Sequence, residues 1–173
     1  QAIGAKFDNP SLKVYNITDP SSPQFVKDIT LASTSENVKF DIKISNGYLY
    51  LLIADKGLYV FDLTDPSSPS LQGDTDGLIL PADLCDVLVK DTFVDLASVE
   101  QGIYIINLST ISSPALVTTI AANGRIKAIE HNNTTLYIAD ELQGMLIYNI
   151  SDPSSPVQGN TLPTENAISG MNV

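Results

Sequence analysis

Several residue types are scarce or missing in this 173-residue chain. It has no Trp, one Cys, one His and one Arg, and no apolar run approaches the roughly 18 residues of a membrane-spanning helix. A single cysteine excludes an internal disulfide. Nine basic residues against 20 acidic ones leave a net charge of −11, whereas a nucleic-acid surface needs clustered Lys and Arg. These shortages argue against a membrane-spanning protein, a disulfide scaffold and a nucleic-acid binder.

One short sequence, in contrast, is abundant. DPSSP occurs at Asp19–Pro23, Asp65–Pro69 and Asp152–Pro156, and a degraded copy, TISSP, occurs at Thr110–Pro114. Successive copies are 46, 45 and 42 residues apart. Each copy lies between two strand-like runs, and two further runs around a short turn (SNG, KD or HNN) separate one copy from the next. Four short antiparallel strands in about 43 residues predict one blade of a β-propeller.

We name the strands of each repeat A, B, C and D, with DPSSP as the turn between C and D. The sequence then predicts one all-β domain, a propeller of four four-stranded antiparallel blades. The repeats span about 1–31, 32–76, 77–121 and 122–162, and a closing strand at 163–173 is expected to pair with the first B strand and complete the closing blade. We expect the two faces of most strands to be buried, since the C strands are almost continuously apolar.

The two chain ends are in phase with the repeat. TENAISGMNV at 164–173 aligns with SENVKFDIKI at 35–44, an A strand, and the chain begins at AIGAKF in a B strand. One chain could therefore close its own ring. Two chains could instead form an eight-bladed ring or donate the A strand to a neighbour, or the chain could be part of a larger propeller. The start at Gln1 rather than Met favours a processed or excised product, and closure within one chain is the favoured interpretation.

The DPSSP motif has the chemistry of a rigid corner. An Asp side chain accepts hydrogen bonds from N–H groups two residues on, and the first Pro excludes the helical conformation before it. The second Pro begins the outer D strand, where a missing N–H costs least. We therefore interpret the motif as structural.

The repeats resemble those of the LVIVD-repeat family. The resemblance rests on IADKGLYVFDLTDPSSP at 53–69 and IADELQGMLIYNISDPSSP at 138–156, with partial agreement at KVYNITDPSSP, 13–23. LASVEQGIYIINLSTISSP at 96–114 departs by losing Ala-Asp and Asp-Pro. The resemblance implies a β-propeller of the cell surface or extracellular space, without catalytic residues common to the family.

The sequence offers one weak metal site, for calcium. DTDG at 74–77 supplies Asp74 and Asp76 at the opening spacing of a calcium loop, and Asp83 follows. The third acid of the loop and its closing Glu are missing. No other cofactor is predicted.

The link from the second repeat to the third contains the apolar run Leu78, Ile79 and Leu80, where other links are polar. Exposed, it would be a partner contact; folded inward, it would plug the channel. The B–C and D–A links share one face of a propeller, and we expect negative potential there. The acids concerned are Glu36, Asp55, Asp76, Asp83, Glu100, Asp140, Glu141 and Glu165.

The single His, the single Cys and the Asn residues of the glycosylation sequons are considered next. His131 is expected on an exposed A–B turn. Cys85 alternates with Val87 and Val89 and is expected to be a small buried hydrophobe. Glycosylation sequons occur at Asn132 and Asn133 on that turn, and more weakly at Asn16, Asn107 and Asn149, where the Asn is expected to cap the corner.

Together these features favour a non-catalytic extracellular or cell-surface propeller that serves as an interaction or structural assembly module. Its partner would be another protein or a second copy, the latter through the closing strand. The alternative is a metal-dependent hydrolase or lyase with an acidic site at the channel mouth. An enzyme should place titratable groups from several blades around one pocket.

Overall fold

The computed structural model describes residues 2–6, 11–30 and 39–163. These ranges contain fifteen strands and no helix. The strands are β1 (Ala2–Lys6), β2 (Ser11–Asn16), β3 (Gln24–Thr30), β4 (Phe40–Ser45), β5 (Tyr48–Ile53), β6 (Gly57–Asp62), β7 (Ser70–Asp74), β8 (Leu84–Lys90), β9 (Phe93–Ser98), β10 (Gly102–Asn107), β11 (Ala115–Ile120), β12 (Ile126–Asn132), β13 (Thr135–Asp140), β14 (Gly144–Asn149) and β15 (Val157–Leu162).

The strands form four antiparallel sheets, each continuous in sequence. The orders are β1-β2-β3, β4-β5-β6-β7, β8-β9-β10-β11 and β12-β13-β14-β15, which we call blades 1 to 4. The predicted all-β propeller of consecutive antiparallel blades is thus confirmed. Blade 1 contains strands B, C and D within the described residues. The closing strand predicted at 163–173 lies almost entirely outside them.

Alternation of side chains explains why the middle strands are apolar throughout. On β5, Leu49 and Leu51 pack with Leu12 of blade 1, whereas Tyr50 and Leu52 pack in the cluster shared with blade 3. Successive residues of a strand point to opposite faces, so a blade between two neighbours buries both. A third cluster joins blades 3 and 4.

The A strands of successive blades contact one another: β4 contacts β8, and β8 contacts β12. These are the inner strands of the propeller, and the D strands lie at the outside. Each C–D pairing carries a register shift at the same place, as at Val60/Phe61 and Ile105/Ile106. The extra residue lies on the outer strand and forms a β-bulge.

The corner prediction is confirmed in detail. In blade 2, Asp65 Oδ1 accepts hydrogen bonds from Ser67 N at 3.0 Å and Ser67 Oγ at 2.6 Å, and Ser68 N donates to Asp65 O at 2.9 Å. Asp19 and Asp152 form the same bonds. Hydrogen bonds from the serine lower the pKa of each carboxyl.

A corner also lies against the blade before it. Lys27 Nζ on β3 donates to Ser68 Oγ in the corner of blade 2, at 2.9 Å. In the degraded corner, the carbonyl of Ile111 approaches Gly73 so closely that a Cβ there would lie 2.0 Å from the oxygen. Each of these two corners therefore contacts the outer strand of the preceding blade.

Candidate functional site

The links between strands B and C and between strands D and A emerge at one end of the blades, which we call the link face. The described B–C links are residues 54–56, 99–101 and 141–143, and the described D–A links are 75–83 and 121–125. The 75–83 link, between blades 2 and 3, is the longer of the two D–A links. It contains the apolar run singled out in the sequence.

Thr75 fixes the start of this link. Its side chain is buried, Leu58 N donates to Thr75 Oγ1 at 2.8 Å, and Thr75 N donates to Leu58 O at 3.0 Å. Leu78 N then closes a turn on Thr75 O at 2.9 Å. A Cβ on Gly57 would lie 2.2 Å from Thr75 Oγ1, and Gly57 has φ +99°. Only glycine combines that φ with such close approach.

The apolar run divides between core and solvent. Leu78 and Leu80 are half-buried and pack against the cluster shared by blades 2 and 3. Ile79 between them is 96% exposed. Two leucines therefore anchor the link on the core between blades 2 and 3, and one isoleucine projects from it into solvent. Contact of this run with a partner stays a prediction. Leu142, on the B–C link of blade 4, is 77% exposed on the same face.

A cleft of about 320 Å³ lies beside this link. Leu78, Leu80 and Pro81 form its apolar wall, and the other lining residues are charged: Asp55, Lys56 and Asp76. Tyr59 Oη donates to Asp76 Oδ1 at 2.9 Å. Burial first, then Asp76, Asp74 and Asp55, raise the pKa of the Tyr59 phenol. Three carboxylates therefore act on the Tyr59 hydroxyl.

A second cleft, of about 410 Å³, lies between blades 3 and 4. Its lining residues are Glu100, Ala122, Asn123, Gly124, Arg125, Glu141 and Leu142. Arg125 Nη1 lies 3.3 Å from Glu100 Oε1, and its Nε lies 3.8 Å from Glu141 Oε2. Lys127 Nζ also pairs with Glu141, at 3.2 Å. The negative charge of this cleft is therefore countered by the chain itself.

The three calcium candidates have separate hydrogen-bonding roles. Asp74 Oδ1 accepts from Asp76 N at 3.0 Å, and Asp76 accepts from Tyr59. Asp83 Oδ1 accepts from Ser98 Oγ at 2.5 Å. No group of three or more His, Cys, Asp or Glu side chains is placed to hold a metal within 11–30 and 39–163. Calcium binding by these residues stays a prediction.

The predicted acidic face contains carboxylates of two kinds. Asp140 is fully buried and accepts from Gly124 N, Leu142 N and Gln143 N at 2.8 to 3.0 Å, so it ties the two links of blade 4 together. Asp83 likewise joins a D–A link to a B–C link, because its Oδ2 accepts a hydrogen bond from Glu100 N. Asp76 and Glu100 are exposed and contribute surface charge. Glu36 and Glu165 lie outside the described residues.

The inner strands carry an acid pair that the sequence reasoning missed. Val87 N donates to Asp41 Oδ2 at 3.3 Å, and Ile129 N donates to Asp86 Oδ2 at 3.0 Å, so each carboxylate bridges to the next blade. The Asp41 carboxyl lies within hydrogen-bonding reach of Asp86. Burial is the largest cause that raises the pKa of Asp86, and the Asp41 carboxyl raises it further. The Ile129 N–H and Lys43 lower the pKa but do not cancel the rise. Such a pair can hold a proton between two carboxyls. The repeat offered the signal, since Asp41 in FDIKI at 40–44 and Asp86 in CDVLV at 85–89 stand at the same place in the aligned A-strand runs.

His131 differs from its expected exposed position. It belongs to β12 and is half-buried, and its Nε2 lies 3.2 Å from Val89 O on the neighbouring blade. Asp95 on β9 is buried, and burial raises its pKa to about 6 against the opposing charges of His131 and Lys90. The expectation was wrong because β12 extends to Asn132 and blade 3 covers its end.

Cys85 is half-buried, but its predicted phase was wrong. A register shift between Leu84 and Asp86 marks a β-bulge, and Cys85 packs in the cluster of blades 3 and 4, whereas Val87 belongs to that of blades 2 and 3. Burial, and after it the charge of Asp86, raises the pKa of the thiol to about 11. The thiol is therefore protonated at neutral pH and is a poor nucleophile.

The sequons fall into two structural groups. Asn16, Asn107 and Asn149 end C strands, and each Oδ1 accepts the N–H of its own sequon's Ser or Thr at 2.7 to 2.9 Å. Asn132 and Asn133 are exposed at the hairpin turn, where Asn133 has φ +52°. The interpretation of the first group as corner caps is confirmed. Glycosylation of either group stays a prediction.

Comparison with known proteins agrees with this architecture. The model of the LVIVD repeat matches residues 40–76, 82–121 and 135–161, together more than half of the chain. The chain therefore belongs to the LVIVD-repeat family, as the resemblance indicated. A search of curated proteins found no match.

Two solved structures with the same fold are computationally designed proteins. The crystal structure of Ika4 matches with a TM-score of 0.63 at 11% identity, covering 82% of this chain and 84% of that one. The crystal structure of Ika8 matches with a TM-score of 0.72 at 13% identity, covering 99% of this chain and 49% of that one. The chain thus spans about half the length of Ika8. At these identities the likeness shows the fold alone.

Proposed function

We propose that this chain is a non-catalytic propeller of the extracellular space or cell surface, which acts as a protein-interaction or structural assembly module through its link face. The observation that carries the proposal is Ile79. Its side chain is 96% exposed, while Leu78 and Leu80 fix the backbone on both sides. Covering a large apolar side chain with a partner removes its surface from water, which is favourable. Leu142 extends apolar exposure to the same face.

The extracellular location is supported by composition and by sequon placement. Only 17% of the residues are charged, and Ser, Thr, Asn and Tyr are frequent. Asn132 and Asn133 are exposed on a hairpin turn, where an attached glycan would meet no core. None of the described residues forms a helix of the length and hydropathy needed to span a bilayer.

Treating intact source cells with a protease tests the extracellular location. Loss of the chain from intact cells supports this location, and survival of the chain until the cells are lysed contradicts it.

Photo-crosslinking tests the interaction surface directly. Ile79 is replaced by p-benzoylphenylalanine, and the matched control carries the same probe at Thr134, an exposed turn residue on the opposite face. Irradiation is performed on the purified chain and on the source cell envelope. We expect a discrete adduct from position 79 and none from 134. Equal labelling from both positions, or none from 79, would contradict the proposal.

The probe belongs at Ile79 alone. Replacing Leu78, Ile79 and Leu80 together with Ser would also remove two anchors from the core of blades 2 and 3. Loss of binding in that triple variant would not distinguish a lost contact from a disturbed fold.

The hydrolase or lyase alternative is favoured by one observation, the acid pair on the inner strands. Asp86 has a raised pKa beside Asp41, as general acids often do. Its test compares the chain with Asp86→Asn on chromogenic ester, phosphoester and glycoside substrates. Turnover by the wild type that disappears in Asp86→Asn would establish this alternative and overturn the non-catalytic proposal.

A further inference from the structure

The inner strands of neighbouring blades are connected through carboxylates as well as through apolar packing. Asp41 on β4 and Asp86 on β8 occupy the same place in the A–B hairpins of blades 2 and 3. Val87 N on β8 donates to Asp41 Oδ2 at 3.3 Å, and Ile129 N on β12 donates to Asp86 Oδ2 at 3.0 Å. Blade 4 has Ala128 at this place, so two of the three described inner strands carry the carboxylate.

One backbone N–H is shared by the two carboxylates. Val87 N lies 3.3 Å from Asp41 Oδ2 and 2.9 Å from Asp86 Oδ1, and its single hydrogen cannot be donated fully to both oxygens. Asp41 and Asp86 also lie within hydrogen-bonding reach of each other. Two ionised carboxylates cannot form that bond, because neither has a hydrogen to donate. The arrangement therefore lacks one hydrogen, which protonation of either carboxyl would supply.

Two lysines of blade 2 lie near the pair, and their charges favour ionised carboxylates. Lys43 Nζ, on β4, lies 3.6 Å from Asp41 Oδ2, and its charge lowers the pKa of Asp86. Lys39 precedes β4 and acts on the thiol of Cys85, which is next to Asp86 in the chain. Burial and the Asp41 carboxyl outweigh the charge of Lys43, so that the pKa of Asp86 is raised.

Charged side chains on the other adjoining strands have other partners. On β12, Lys127 Nζ pairs with Glu141 at 3.2 Å. Glu130 Oε1 accepts a hydrogen bond from His131 N at 3.0 Å, and His131 Nε2 lies 3.2 Å from a backbone oxygen of β8. On β9, Asp95 is buried, and burial raises its pKa to about 6. Asp95 is thus a second carboxyl with a raised pKa, which an experiment on the pair has to separate.

The junction that contains this pair also anchors the 75–83 link. The side chain of Val87 belongs to the buried cluster shared by blades 2 and 3, and Leu78 and Leu80 pack against that cluster. The residue whose N–H both carboxylates approach is therefore also part of the core under the link. A movement of β8 at Val87 would move the support of the link.

We propose that Asp41 and Asp86 form a pH-sensitive latch between the inner strands of blades 2 and 3, in which one shared proton holds the two carboxyls together. Loss of that proton to solvent leaves two carboxylates that repel each other across the junction, which loosens the support of the 75–83 link. The folded chain holds the proton more tightly than the unfolded chain, so the latch is closed at acid pH and opens as the pH rises above the ordinary Asp range. The latch goes beyond the proposed interaction function and requires neither a partner nor a substrate.

NMR of the whole chain tests the latch, in the wild type and in Asp95→Asn, which removes the other carboxyl with a raised pKa. The carboxyl carbon signals of Asp41 and Asp86 are followed from pH 3.5 to 8, together with the protection of Val87 N–H against hydrogen exchange. We expect both carbon signals to report one shared step with a midpoint well above about 4. Protection, corrected for intrinsic exchange, should fall about tenfold between pH 5 and 7.5 in both proteins.

Variants separate the pair from its surroundings. Asp86→Asn has an amide that can donate to Asp41 while its oxygen still accepts from Ile129 N, so it imitates the protonated pair. Val87 protection in this variant should be the same at both pH values. Asp41→Asn removes the neighbouring charge and should move the midpoint of Asp86 to lower pH. Asp91→Asn, on the exposed A–B turn of blade 3, is the matched control and should change neither quantity.

Separate titration of the two carboxyls near the ordinary Asp range would overturn the proposal. An equal fall of Val87 protection in Asp86→Asn and in the wild type would also overturn it, since another group would then cause the fall. A fall that is present in the wild type and absent from Asp95→Asn would assign the effect to Asp95 and reject the latch. None of these outcomes affects the crosslinking test at Ile79, so the latch and the interaction function can fail separately.

Discussion

Asp95 lies on the middle strand β9 of blade 3 and is 4% exposed. Its side chain has little water to stabilise the carboxylate, so burial raises its pKa from the ordinary value of 3.8 to about 6. His131 and Lys90 oppose the rise but do not cancel it. A carboxyl in this position binds its proton more tightly in the folded chain than in the unfolded one.

This shift predicts a pH dependence of stability. The contribution of Asp95 is complete below the unfolded pKa and is lost as the pH rises through about 6, on the order of 3 kcal/mol in total. Asp95→Asn removes that dependence. Urea unfolding of both proteins at pH 4.5 and 7.5 measures it, and the variant should gain relative to the wild type at the higher pH. If the difference in the free energy of unfolding between the wild type and Asp95→Asn is the same at both pH values, the prediction is wrong.

The sequons yield a second prediction at the residue scale. Asn132 and Asn133 are exposed on a turn, whereas Asn16, Asn107 and Asn149 hold corners through their side-chain oxygens. Secreted from a eukaryotic host, the chain should carry glycan at the turn. Mass spectrometry after glycosidase treatment should show Asn converted to Asp at 132 or 133. Modification at the three corner residues alone would contradict this assignment.

At the scale of the element, the corner is the feature that the chain repeats. Its Asp makes two hydrogen bonds to a Ser two residues on, as Asp65 does with Ser67. Blade 3 has Thr110 there and keeps the backbone turn from Ser113 N to Thr110 O, at 2.9 Å. The turn therefore survives without the carboxylate.

Exchange of these residues should move stability in opposite directions. Thr110→Asp supplies the missing acceptor for Ser112 and should raise the free energy of unfolding by about 0.5–1 kcal/mol, whereas Asp65→Thr should lower it. Chemical denaturation of both variants beside the wild type measures the effect. A destabilised Thr110→Asp variant would show that the degraded corner has a requirement of its own, such as the approach of Ile111 to Gly73.

The strands also show how much of the fold can be predicted from the sequence. The apolar runs before the corners, at 12–17, 58–63, 103–108 and 145–150, predict C strands that begin and end within one residue of the observed ones. Gly precedes three of these runs, and a corner follows all four. The side chain of Cys85 was placed wrongly because one bulge on β8 reverses the alternation. A bulge depends on pairing with the neighbouring strand, which the local sequence does not encode.

The same limit applies to the candidate site. The run at Leu78–Leu80 was visible because it breaks the polar pattern of the other links. Its division into two anchors and one exposed residue depends on how blades 2 and 3 pack.

At the scale of the whole molecule, the question is how the ring closes. We expect this chain to behave in dilute solution as a monomer of 18.6 kDa, because a self-closed ring uses its own last strand and the net charge opposes association. Light scattering after size-exclusion chromatography measures the mass. A stable particle of twice that mass would support the eight-bladed ring, and a ladder of larger species would support donation of the strand to neighbours.

The β-bulges of the outer strands affect how readily copies of the chain associate through their sheet edges. Within the residues that the structure describes, the D strand of each blade pairs on one side only, and such an edge is a template for sheet extension and fibril growth. One additional residue in each C–D pairing, as in Val60/Phe61, twists that edge and interrupts its row of donors and acceptors. The bulges therefore disfavour edge-to-edge joining of copies at high concentration.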